Sequence, residues 1–244
     1  MTDILNNNNI AICYFGLTRS TKKVYNTHFE NLFDVLKEHN INYEVFMHTW
    51  ETLDGKQNTR GKNYTKTDID YNEYKLLKPD HYKIDIQDDF LKSIDFSKFF
   101  YQNTYNKYKY DKVKGEWKPK LIKNHLCALE SQKRVLKMVN TNKFDKIMFV
   151  RPDVMINKKI NVNQILNMKK HTIIIPFGDN YEGYNDRFAI CTWRNAHEYG
   201  SRIDEIADFR KKNGRIVSEK YVKYIIDKYK MSKEVMVLPM KIIR

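Results

Sequence analysis

Uninterrupted apolar runs alternate along this chain with amphipathic stretches. Ile10-Ala11-Ile12-Cys13-Tyr14-Phe15 contains no charged residue, the composition of a strand covered on both faces. It breaks at Gly16, and Gly16-Leu17-Thr18-Arg19-Ser20 reads as a tight turn. Over 21–39, Val24, Phe29, Leu32, Phe33, Val35 and Leu36 fall on one stripe of a helix, which Asn40 suits as a C-terminal cap. Tyr43-Glu44-Val45-Phe46-Met47 then reads as a second strand, ending at His48-Thr49-Trp50. Strand, turn, helix and strand in that order predict a right-handed βαβ unit.

From 51 to about 83 apolar residues are sparse, and the pattern predicts surface loops with a short helix near 71–77 and a short strand at 82–86. Another helix or turn is expected over 88–100. Residues 101–118 are rich in Tyr and Lys, with Tyr101, Tyr105, Tyr108, Tyr110 and Trp117 among them. The strongest helical pattern covers 120–139, where Leu121, Ile122, Leu126, Leu129, Val135 and Leu136 recur at helical spacing. It leads into Ile147-Met148-Phe149-Val150, a buried strand that stops at Arg151-Pro152-Asp153, because Pro152 cannot donate to a ladder and pushes Arg151 away from helix.

Beyond it the pattern predicts a helix at 162–168, a strand at 172–176, a loop at 178–184 and a strand at 187–192. Helices at 195–212 and 218–230 and a last strand at 235–238 complete the chain. With neither repeat nor linker in 244 residues, the expectation is one α/β domain over 1–244, with 1–9 a frayed end and 51–118 a loop-rich excursion.

No apolar run approaches the roughly 20 residues of a membrane span, and the polar start lacks the cationic and apolar regions of a signal peptide. Cys13, Cys127 and Cys191 are far apart and odd in number, which favours buried reduced thiols and a cytoplasmic setting. The sequon Asn63-Tyr64-Thr65 reads as chance. A net charge of +14 directs attention to anionic ligands: nucleic acid, an acidic membrane surface or nucleoside diphosphates.

Four stretches hold candidate chemistry. Arg151-Pro152-Asp153 brings a cation and a carboxylate to the carboxyl end of a buried strand, where open α/β sheets bind ligands. Asp153 there suits Mn²⁺ or Mg²⁺ neutralising a diphosphate, or else a plain surface pair with Arg151. Gly16 and Arg19 precede a helix N-terminus, which favours an anion. Asn185-Asp186-Arg187 lies between a loop and a strand; Asp186 suits a general base, and Asn185 and Arg187 suit sugar hydroxyls or phosphate, although an Asn-Asp turn would explain them too. Ser218 and Glu219 open a helix, where capping competes with a site role. Trp50, with His48, would suit stacking on a base or sugar if it faces the ligand side.

Taken in order, Phe-Gly-Leu-Thr-Arg (15–19), Phe-Met-His-Thr-Trp (46–50), Phe-Asp-Lys-Ile followed by Arg-Pro-Asp (144–153), Asn-Asp-Arg-Phe-Ala (185–189) and Ser218-Glu219 resemble the small GT-A-type nucleotide-sugar glycosyltransferases of large DNA viruses and bacterial surface-glycan clusters. The resemblance implies a Rossmann-like GT-A fold, a mostly parallel central sheet with helices on both faces. It implies a nucleotide-sugar donor, a UDP-sugar foremost, and a glycan or glycoprotein acceptor, in host cytoplasm if the source is viral. It places Gly16, Arg19, Arg151, Asp153 and Trp50 at the nucleotide, Asp153 at a metal, Asp186 at donor sugar or acceptor as base, and Asn185, Arg187, Asp179 and Glu219 around the sugars. Where such enzymes carry Asp-x-Asp, this chain has Arg151-x-Asp153, which bears directly on the metal. Two rivals use the same sequence: a nucleic-acid-binding protein whose Tyr/Lys-rich stretch stacks bases, and an inactive transferase-like interaction domain.

Overall fold

Both faces of the inner strands are apolar, and both are covered. A computed structural model describes residues 9–54, 56–58, 66–99, 119–140, 142–213 and 215–243. In chain order, strand β1 (Ile10–Phe15) is followed by a helical segment made of α1 (Tyr25–His28), a π-turn (Phe29–Phe33) and α2 (Asp34–Glu38), then by β2 (Tyr43–Glu51). A small hairpin, β3 (Lys56–Asn58) and β4 (Lys66–Asp68), precedes a 3₁₀ turn (Glu73–Leu77), β5 (His81–Ile86) and α3 (Gln87–Ser93). The long α4 (Pro119–Met138) leads to β6 (Lys146–Val150), β7 (Val154–Ile156), α5 (Val162–Leu166), β8 (Thr172–Pro176) and β9 (Phe188–Thr192). The chain ends in α6 (Trp193–Gly200), a 3₁₀ turn (Arg202–Glu205), α7 (Ile206–Asn213), α8 (Ser218–Lys228), β10 (Ser232–Met236) and β11 (Met240–Ile242).

The main sheet has the order β10-β8-β9-β6-β1-β2-β5. Only β9 is reversed, antiparallel to β6 and β8, so the expected α/β fold with a mostly parallel, Rossmann-like sheet is what forms. Its strands send alternate residues to opposite faces. Ala11, Cys13, Phe15, Ile147, Phe149, Ala189 and Cys191 pack with α4, α6 and α8 on one side. Ile10, Ile12, Tyr14, Met148, Val150, Phe188 and Ile190 pack with the 21–38 segment and α5 on the other. Period-two alternation of apolar and polar residues is therefore absent from β1 and β6.

Four expectations change. The helix expected at 195–212 is α6, a 3₁₀ turn and α7 in succession. The last strand, expected at 235–238, is two elements: β10 on the main sheet, and β11, which pairs antiparallel with β7 immediately after Asp153. The loop-rich excursion contains the β3–β4 hairpin. And β2 runs on to Glu51 rather than ending near Met47, which decides where His48 and Trp50 point. The frayed start before residue 9, the sequon at 63–65 and the Tyr/Lys-rich stretch at 101–118 lie outside the described residues. Among the described residues, no helix is long and apolar enough to cross a membrane, and the three cysteines are unbridged and buried.

Candidate active site

At the carboxyl end of β6 the backbone is fixed from three sides. Arg151 N–H donates to Arg187 O at 3.2 Å, joining β6 to the start of β9, and Asp153 O accepts from Ile243 N–H at 2.9 Å. From α1, His28 Nε2 lies 2.8 Å from Val154 O. A carbonyl only accepts, so that nitrogen bears the proton, and Nδ1, 2.9 Å from Tyr14 Oη, accepts from the phenol. Burial holds His28 down to about pKa 4, neutral at physiological pH. Within the π-turn, Asn31 Nδ2 reaches Ile156 O at 2.8 Å. The helix thus pins the strand that follows Asp153.

Asp153 itself is 2 % exposed. Arg151 grips it with two parallel bonds, Nε–Oδ1 at 2.9 Å and Nη2–Oδ2 at 2.7 Å. Arg19, from the turn after β1, adds Nη2–Oδ2 at 3.1 Å. Burial alone would raise the carboxyl's pKa, but the two guanidiniums outweigh it and hold Asp153 down to about 2. The predicted juxtaposition of the Gly16 turn with Arg151 and Asp153 is therefore present, and takes the form of a buried two-arginine clasp.

The turn that presents Arg19 rests on a buried strut. Gly16 has φ of +100°, a conformation that side chains other than glycine's resist. Its N–H donates to Ser131 Oγ on α4 at 2.8 Å. Ser131 Oγ is also 2.8 Å from His48 Nδ1, and His48 Nε2 is 3.0 Å from Asp85 Oδ2. Arg134 bonds Asp85 at 2.5 Å and Glu130 at 2.8 Å. Serine, histidine and aspartate in this order have the connectivity of a hydrolase triad. Ser131 and His48 are both fully buried, however, and the hydroxyl accepts a backbone N–H, so the chain is a support and not a nucleophile. No spacing in the sequence announces it.

Trp50 does not join the site. Its extension of β2 places Phe46, His48 and Trp50 alternately on the α4 face, where Trp50 is 1 % exposed. Its Nε1 donates to Cys127 O at 3.0 Å and its ring stacks on Phe90 at 5.4 Å. The expected base-stacking role is thus replaced by core packing.

The 177–187 loop closes the other side. Asn185 is buried, donating to Gly178 O at 3.0 Å and accepting from Arg187 N–H at 3.0 Å. Arg187 pairs with Asp179. Asn185, Arg187 and Asp179, expected at the sugars, thus fasten the loop to itself. Gly183 lies flush against Glu219 O, where any Cβ would collide, and Tyr184 N–H donates to the same oxygen at 2.9 Å. Glu219, 8 % exposed, takes the Ser218 hydroxyl at 2.8 Å. Burial and the neighbouring Asp186 raise its carboxyl pKa. Asp186 is half-buried. It lies near enough to Arg151 to favour that cation alongside Asp153, and it acts on His125, which burial holds down to about 4. Arg19, Arg151 and Asp153 are thus in direct contact, and Asp186 is close enough to act on Arg151, Glu219 and His125.

The clasp fits a metal ion poorly. Both Asp153 oxygens are taken by guanidinium N–H groups, and among the described residues no group of three or more His, Cys, Asp or Glu is arranged to hold an ion.

No family model matches the chain, and no curated protein matches it. Among solved structures, the apo-form glycosyltransferase GlyE of Streptococcus pneumoniae TIGR4 aligns with a TM-score of 0.40 at 10 % identity, covering 94 % of this chain and 45 % of that one. The chain thus spans less than half the length of that protein. Similarity at that TM-score bears on neither activity nor substrate.

Proposed function

We propose that this chain is a glycosyltransferase that moves a sugar from a nucleoside diphosphate donor, a UDP-sugar foremost, to a hydroxyl of a glycan. One observation carries the reading: two arginines from different elements converge on one buried carboxylate at the carboxyl ends of β1 and β6. That is where an open α/β sheet binds ligands, and the sequence motifs at these positions are the ones that resemble nucleotide-sugar transferases.

Transfer leaves negative charge on the departing diphosphate, so a preorganised cationic cradle lowers the barrier. Arg151 uses Nε and one Nη2 hydrogen on Asp153, and the rest of its fork is the group we assign to phosphate oxygens. Two cations against one carboxylate leave the clasp at +1 (2 − 1), with Asp153 holding both side chains in place. Asp186 takes the acceptor hydroxyl proton as that oxygen bonds to the sugar's anomeric carbon. The bond from that carbon to the phosphate oxygen breaks, and the diphosphate leaves with the electron pair. The cradle supplies with fixed guanidiniums the charge that an Asp-x-Asp site supplies with an ion.

A thermal-shift panel of UDP-, GDP-, dTDP- and CMP-sugars, with and without Mn²⁺, tests this. A donor at 100 times its dissociation constant adds about 2.7 kcal/mol, and the cradle predicts the same shift without Mn²⁺. Absence of any shift, together with absence of nucleotide release over a broad acceptor screen, would overturn the assignment.

A further inference from the structure

The strand order sets out the loops of the sheet's carboxyl edge in a row. Gly16 and Arg19 follow β1, Arg151 and Asp153 follow β6, Asp186 and Arg187 precede β9, Phe177 follows β8 and Val237 follows β10. Strands stand about 4.8 Å apart, so β1 and β8 are separated by about 14 Å, with Asp186 between them. At the β8–β10 end three large apolar side chains stand in solvent: Phe177 at 66 %, Tyr181 at 65 % and Val237 at 62 %. Phe177 N–H donates to Met236 O at 2.8 Å, which sets Phe177 beside Val237.

These side chains are held outward by a loop that is tied down. Asp179, Tyr181 and Glu182 all have positive φ, at 49°, 28° and 68°, a conformation that carries strain in residues other than glycine. The strain is held in place by the Asn185 bond to Gly178 O, the Asp179–Arg187 pair, the Lys220–Glu182 pair and the seating of Gly183 on Glu219 O. Two exposed rings on a pinned, strained loop form a platform.

The geometry points to an acceptor oligosaccharide as the occupant, with rings beyond the reacting sugar lying on Phe177 and Tyr181. This rests on the transferase reading. Three side chains of this exposure present roughly 300–400 Å², well under the about 800 Å² a side that a stable protein interface buries. That area suits one or two pyranose rings, whose C–H faces lie against the negative faces of aromatic rings. The charged pairs about the loop offer hydrogen-bond partners to hydroxyls at its rim. Phe177 lies one strand step, about 5 Å, from the Asp186 loop, and Val237 two steps, about 10 Å. A single sugar reacting at Asp186 can touch Phe177 at one edge, whereas the rest of the platform, out to Val237, is left to sugars distal to the hydroxyl that reacts.

Acceptor kinetics with mono-, di- and trisaccharides, on the wild type and on Phe177→Ala/Tyr181→Ala, test the platform. Loss of two stacking contacts predicts a KM for the longer acceptors raised roughly tenfold, with the monosaccharide KM raised less and the donor-induced thermal shift and the melting temperature unchanged. An unchanged KM for every acceptor in an active enzyme overturns the platform and leaves the transferase reading standing. Calorimetric titration of the same saccharides without donor separates the two ideas further. Binding that depends on Phe177 and Tyr181 in a protein that turns over no donor keeps the platform and removes the transferase. Ring-dependent self-association in sedimentation, or ring-dependent binding of a single-stranded oligonucleotide in place of saccharide, also overturns it.

Discussion

Replacing Asp153 by Asn removes the charge at the centre of the clasp and keeps its size. Two routes estimate the cost. By linkage, a carboxyl held at about 2 against an ordinary 3.8 contributes about 2 kcal/mol at neutral pH. By mutation, removing one partner of a buried ion pair costs about 3–5 kcal/mol, because Arg151 and Arg19 are left facing each other without a counter-ion. The second figure is larger because a proton leaves the hydrogen-bonded geometry in place, whereas the amide's N–H₂ confronts a guanidinium. For a chain of this length each kcal/mol moves the melting temperature by about 2–4 °C, so Asp153→Asn should melt roughly 6–20 °C lower at pH 7. Because the folded pKa is depressed, the wild-type advantage is fully present above the unfolded value near 3.8 and disappears as pH falls towards 2. Urea titrations of both proteins across that range measure it. A double-mutant cycle with Arg151→Met should return a coupling of 2 kcal/mol or more. An Asn variant as stable as the wild type at pH 7 would show that the clasp is not formed in solution. Loss of turnover in an Asp153 variant is informative only once its fold has been measured.

Asp186→Asn should lower transfer by about 10²–10⁴-fold while donor binding, read by thermal shift, is kept; near-normal kcat would remove it as the base. Ser131→Ala leaves the Gly16 N–H without its acceptor, at about 1–3 kcal/mol. It should raise the donor KM more than it lowers kcat, since it acts through the Arg19 turn, and an unchanged KM would make the strut purely structural. His28, His48 and His125 are each held down to about 4 by burial, against 6.5 unfolded. The unfolded chain then binds more protons between these values, so stability is greatest above about pH 6.5. It should fall by about 4 kcal/mol per pH unit near pH 5, and a flat stability profile from pH 7 to 4.5 would contradict their neutrality.

The fold was legible where one force dominated. In β1, β6 and β8 the apolar run is the consequence of two covered faces, and α4 shows its stripe because only one face is buried. The end of the chain was less legible because burial alone does not say which sheet a strand joins. Val235, Val237 and Leu238 are equally apolar in sequence, yet Leu238 is buried, Val237 stands in solvent and Val235 is exposed on the edge strand. The reversal of β9 has no local signature at all, since Phe188–Thr192 would suit either direction.

The site divides along the same line. Arg19, Arg151, Asp153 and Asp186 are legible as strand-end and loop residues because breaks in the apolar pattern mark those ends, and the topology brings the ends to one edge. Trp50 is not legible because β2 runs four residues beyond its apolar run: His48 finds Ser131 and Asp85 within the protein, so a polar residue there does not stop pairing. Ser131 is not legible because its partner His48 lies 83 residues away, nor is the hold of His28 on Val154, 126 residues away, separations no local pattern reports. Arg151 is the position where the sequence departs from the family it resembles, and there the structure supplies a physical reason for the departure. A carboxylate beside Asp153 would put two negative charges side by side at a buried position and call for an ion; a guanidinium there neutralises Asp153, and with Arg19 on the same carboxylate the clasp itself carries +1. If that substitution is what frees the chain from an ion, then Arg151→Asp should weaken donor binding without Mn²⁺ and regain part of it when Mn²⁺ is added. Equal donor affinity with and without Mn²⁺ in that variant would refute the exchange of one charge carrier for the other.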